Sequence, residues 1–135
     1  MIKVLAFLCL LLPGIATAEV IVNSGVTIDS IGRQYLLSVF SMRVRSWPDG
    51  QPVRVFVLPE HHDIHRDFVK RELKVFPYQL KTMWDRLVFS GAGQSPVVVE
   101  SQEEMIERVS VTAGAIGYVV AADQGGTDVK HLEVK

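Results

Sequence analysis

The sequence has a single cysteine, Cys9, and so no second thiol to pair with it. A disulfide within the chain is excluded, and stability has to come from a packed core. Long apolar runs are missing beyond residue 18, whereas a membrane-spanning helix needs roughly 20 such residues. An excess of one charge is missing too, with 14 Lys+Arg standing against 15 Asp+Glu. A near-neutral chain without a basic stripe lacks the cations that neutralise a phosphate backbone, so nucleic acid is not an expected partner. No nucleophile elbow is found, and Glu103, Glu104 and Glu107 read as a solvated helical face rather than a paired acid and base. An enzyme is not expected, and no cofactor is called for.

What is present begins with Lys3, an apolar run from Val4 to Leu12, then Pro13-Gly14 and the small residues Ala16-Thr17-Ala18. This pattern reads as a signal peptide over residues 1–18, with cleavage after Ala18 and export of the rest. Removal takes away Cys9, one lysine and no acid, leaving 13 Lys+Arg against 15 Asp+Glu over residues 19–135. About 117 residues suffice for one domain and are too few for two.

Val20-Ile21-Val22 reads as a strand ending at the turn Asn23-Ser24-Gly25. Ser30 is placed to cap a helix in which Ile31, Tyr35, Leu36, Val39 and Phe40 share one face. Trp47-Pro48-Asp49-Gly50 is a turn, and Val53 to Leu58 a strand stopped by Pro59. From Asp63, as N-cap, to about Val75, the residues Ile64, Phe68, Val69 and Leu73 predict a helix. Pro77 opens another, with Leu80, Met83, Trp84, Leu87 and Val88 at helical spacing. After the loop from Ser90 to Pro96, Val97-Val98-Val99 is a short buried strand, and Ser101 with Glu104 makes a capping box for a helix burying Met105, Ile106 and Val109. Ala115 to Val120 is a strand, Asp123 to Asp128 a turn, and Val129 to Val134 an edge strand. Strands alternating with helices predict an α/β single domain, a mixed sheet flanked by helices.

Leu36, Leu37, Val39 and Phe40, then Trp47 and Asp49, the strand from Val53 to Leu58, Arg66-Asp67-Phe68, and the stretch from Gly114 to Val119 keep one order along the chain. Together they resemble the phosphate-type periplasmic binding proteins that serve ABC importers. The resemblance implies a type II periplasmic-binding-protein-like lobe, a periplasmic location, a solute-binding role for a small inorganic anion such as phosphate, and a membrane permease or sensor as partner. Full-length members have two lobes; this chain has residues for about one. Where the family carries a Gly-Ser-Gly-Thr loop at a helix N-terminus, whose amides favour an anion, the alignment places Asp63, Ile64 and His65.

The segment Glu60-His61-His62-Asp63-Ile64-His65-Arg66 therefore admits three readings. As an oxyanion site it offers His62, His65 and Arg66 beside Asp63, with Asn23 and Ser24 contributing from the turn after the first strand; histidine donors would strengthen such binding as pH falls. As a metal site it offers His61, His62 and His65. As an interaction surface it presents an envelope adaptor or sensor domain to a partner protein.

Overall fold

The computed structural model describes residues 17–120 and 128–135. The expected signal, apart from Thr17 and Ala18, and all but the last residue of the expected turn at Asp123 to Asp128 lie outside the described residues.

The β-branched run near the start forms β1 (Ala18–Asn23), and Ala115–Val120 forms β5. These two pair antiparallel, with Val20 opposite Tyr118 and Ile21 opposite Gly117. Both are covered on both faces, which explains why their middle residues are continuously apolar instead of alternating. Around them the described strands form one mixed sheet in the order β2-β6-β1-β5-β3-β4, where β2 is Ser30–Ile31, β3 Arg54–Val57, β4 Val97–Val98 and β6 Val129–Val134. β3 runs parallel to β5 and β4, β2 parallel to β6, and β6 antiparallel to β1.

Successive residues of β5 point to opposite faces, and the two layers follow from that alternation. Gly117 faces α4 (Gln102–Val111), close to Met105 and Val109. Tyr118 faces the other layer, stacked on Phe68 with ring centroids 4.1 Å apart and tilted against Phe40 at 5.9 Å. Phe40 ends α1 (Arg33–Phe40), and Phe68 ends α2 (Asp63–Phe68), which continues as a π-helical turn over Val69–Leu73 until Lys74 turns left-handed at φ 59°. α3 (Pro77–Phe89) then packs along that layer, with Trp84 donating its indole N–H to the Phe40 carbonyl at 2.7 Å.

Several expectations change at their boundaries. Ser30 is not a helix cap: Ser30 and Ile31 pair with Glu133 and Val134, and Gly32 takes the capping position of α1. That pairing also covers β6, so Val129–Val134 lies inside the sheet instead of at its edge. The edges are β2 and β4; at β4, Val98 is 53% exposed and Val99 alone of the three valines is buried. Pro77 does open α3, but only Leu80 of its apolar stripe is fully buried, and Val88 is exposed.

Ser101 caps α4 as expected, its Oγ accepting the Glu104 amide at 3.1 Å, while Glu104 Oε2 reaches back one residue further than a capping box requires, to the Glu100 amide at 2.9 Å. Ser101→Ala leaves the Glu104 amide without its side-chain acceptor and is expected to cost about 1 kcal/mol in chemical denaturation, with Ser101→Gly costing less than Ser101→Ala.

Candidate functional site

Parallel strands of an α/β sheet place the loops that follow their carboxyl ends in one crevice. β3 ends there, and Leu58-Pro59 leads directly into the turn Glu60 to His62, closed by the His62 amide donating to the Pro59 carbonyl at 2.9 Å. α2 then starts at Asp63, but the capping residue is His62 and not Asp63: its Nδ1 accepts the Ile64 amide at 3.2 Å. Asp63, freed from that duty, points to solvent and pairs with Arg66 one turn along.

His65 behaves differently from its neighbours. It sits at 1% exposure on the buried side of α2, in register with Phe68 and Val69. Its Nδ1 lies 2.5 Å from the Tyr118 hydroxyl, which also accepts the Leu58 amide at 2.9 Å. Burial, with the neighbouring charge of His62, lowers the His65 pKa to about 4, and burial raises that of Tyr118 above its usual value. At neutral pH the imidazole is therefore uncharged. The Leu58 amide can only donate, so of the two partners of the hydroxyl Nδ1 alone can accept its proton, which leaves the imidazole proton on Nε2. This buried triad locks the start of α2 to β5 and to the end of β3.

The site residues named from the sequence thus fall into separate places. His61 and Arg66 open onto one surface groove of about 550 Å³, shared with Glu60, Lys70, Phe76, Pro77 and Tyr78. Phe76 and Tyr78, at 53% and 64% exposure, stack there with centroids 5.8 Å apart. His62 is held in its cap and His65 faces inward, so the three histidines do not converge; among the described residues no group of three His, Cys, Asp or Glu side chains is placed to hold a metal ion. Asn23 stands at the far end of β1 from Val20, the partner of Tyr118, and so at the opposite end of the sheet from the turn. Its Nδ2 donates to the carbonyls of Val109 and Ser110 at 3.0 and 3.1 Å and its Oδ1 accepts the Gly25 amide, which closes the end of α4. Ser24 is exposed beside it.

Sequence reasoning missed Lys70 and the Phe76–Tyr78 pair as groove residues. The only available signal was the separation of Phe76 and Tyr78 from the apolar stripe of α3. It also missed the inward turn of His65, for which the spacing to Phe68 and Val69 at i+3 and i+4 was a signal.

No family model matches the chain, and no curated protein does. Solved structures do match. A phosphate ABC transporter substrate-binding protein from Clostridium perfringens with bound phosphate aligns at a TM-score of 0.67 and 10% identity, over 88% of this chain and 45% of its own. An ABC-type phosphate transport receptor from Vibrio cholerae gives 0.67 and 15%, over 88% and 46%, and PstS from Borrelia burgdorferi 0.64 and 15%, over 89% and 47%. The chain spans just under half the length of these solved proteins. Among the described residues no helix is long and apolar enough to cross a membrane. What the chain shares with its structural neighbours, across nearly all of its own length, is the mixed α/β fold of the phosphate-type substrate-binding proteins.

Proposed function

We propose that this chain is a non-catalytic, extracytoplasmic solute-binding module, exported to the periplasm behind residues 1–18, whose ligand is a small inorganic oxyanion of the phosphate kind. The observation that carries the reading is the fold agreement over 88% of the chain with a binding protein that holds phosphate. The groove after β3 supports it, because Arg66, Lys70 and His61 bring cationic and hydrogen-bonding groups to one open surface. A membrane permease or a sensor is the partner such a module would serve.

In this reading Asp63 restrains the site, since its carboxylate occupies Arg66 and repels an incoming anion. Asp63→Ser is expected to tighten phosphate binding several-fold in isothermal titration, and Arg66→Ala to abolish it. Unchanged heats in both variants would remove the turn from the anion reading. A second reading, an adaptor that docks a partner protein, is favoured by the exposed aromatic stack at the groove rim and by Phe89, 88% exposed at the end of α3. Recovery of one stoichiometric partner from envelope extract, lost in Phe76→Ser with Tyr78→Ser while phosphate gives no heat, would select it.

A further inference from the structure

A second cavity, of about 210 Å³, lies beyond the carboxyl end of β3 and shares Glu60 with the groove. Its apolar wall is made by Val57, Leu58, Trp84, Pro96 and Val98. His65 also borders it, and His65 is the fully buried polar side chain of this region. Its Nδ1 is engaged by Tyr118, whereas Nε2 has no protein partner among the described residues. Among those residues the buried side-chain oxygen or nitrogen that lacks both a partner and solvent is Gln51 Oε1, so His65 Nε2 is not sealed off. Among the cavities described, the one that His65 lines is this one.

We infer that this cavity is a binding site in its own right, for a small neutral compound that carries a carbonyl acceptor on a flat apolar body. The donor is the Nε2–H of an uncharged imidazole, fixed in tautomer by the Tyr118 hydroxyl. A neutral donor recognises a carbonyl without offering the charge an anion would need. The charged residues that line the cavity do not favour an anion either: Glu60 and Asp85 outnumber Lys81, which already pairs with Asp85 at 3.4 Å. The Trp84 indole supplies a face for a planar group, its ring centroid 6.5 Å from that of His65. The volume is somewhat above that of the roughly 150 Å³ apolar cavity that accepts benzene, which suits an amide the size of benzamide.

The test is a titration of the exported chain with benzamide, followed in long-range ¹H–¹⁵N spectra of the imidazole rings. The expected result is a saturable shift of the His65 Nε2 signal with the other histidines unmoved. Val98→Trp, a change at an exposed position on the edge strand, should fill the cavity and weaken the interaction at least about tenfold, the scale of one lost contact set, with the melting temperature preserved. Inorganic phosphate should leave the Nε2 signal in place, because the anion groove lies elsewhere. A His65 signal that ignores benzamide, or a full response retained in Val98→Trp, overturns the proposal. A shift with phosphate alone overturns it as well, since the cavity would then be an anion site.

Discussion

Gly114→Ala is expected to be the most damaging glycine-to-alanine change among the described residues, lowering stability by about 4 kcal/mol, at the upper end of what point substitutions do, and the melting temperature by on the order of 15 °C. Gly114 closes the bend between α4 and β5 at φ 73°, a conformation that a side chain tolerates poorly. The larger cost is steric. A β-carbon there would sit 2.0 Å from the Pro52 carbonyl oxygen, and that oxygen belongs to the backbone and cannot rotate away. Relief requires moving the start of β3 from β5, where the Arg54 amide donates to the Gly114 carbonyl at 3.1 Å. The same carbonyl accepts the buried Trp47 indole N–H at 2.9 Å, so displacement strands a polar group that water does not reach. Thermal and chemical denaturation of Gly114→Ala beside Gly117→Ala make the comparison. At Gly117 the added carbon meets the Met105 sulfur at 2.4 Å, the end of a side chain that can turn aside, and the loss should be smaller. Equal stabilities for the two variants would show that the Pro52 contact yields without cost.

This junction shows how far the sequence could be read. Gly117 inside an otherwise apolar strand and Gly114 just before it mark close backbone approach, and Trp47 beside Pro48 reads as packing under a turn; the Trp47–Gly114 bond joins those two observations. Apart from β2, the order of strands and helices was equally legible, because periodicity and breakers are local. What was not legible depended on partners distant in the chain. Ser30 has every local property of a cap, yet its backbone is taken by Glu133. The polar residues interleaved in β6 suggested an edge, but Lys130 is engaged by the Val26 carbonyl at 2.6 Å and by Asp29 at 3.0 Å, while His131 lies 3.0 Å from Glu19, so these polar groups are paired on a covered strand. Between His62 and Asp63 as cap, the N-cap preference points to Asp63, yet it is His62 whose Nδ1 accepts the Ile64 amide. The site suffered most: a cluster of histidines on one stretch invites a shared role, whereas the fold sends His61 to the groove, His62 to a cap and His65 to the core.

The inward His65 makes stability depend on pH in a defined direction. The folded chain holds this imidazole neutral with a pKa of about 4, against 6.5 for the unconstrained group. Between those values the unfolded chain binds a proton that the folded chain refuses, so stability rises with pH across this window. The contribution is fully present above about 6.5, declines as pH falls, and is gone below about 4. A displacement of this size corresponds to on the order of 3 kcal/mol. Carboxylates titrate near the acid end of the same range, so the informative quantity is a difference between two proteins. His65→Asn keeps an acceptor for the Tyr118 hydroxyl and removes the titrating group. Urea denaturation of both proteins at a series of pH values from neutral to 4 should give wild type the steeper loss, by about 3 kcal/mol over the window, although the variant starts from a lower stability at neutral pH. Two parallel profiles would mean that His65 takes up its proton in the folded state as readily as in the unfolded one. In that case the Tyr118 hydroxyl would have to act as acceptor from a charged imidazole, and the neutral Nε2 donor on which the cavity's ligand preference rests would be lost with it.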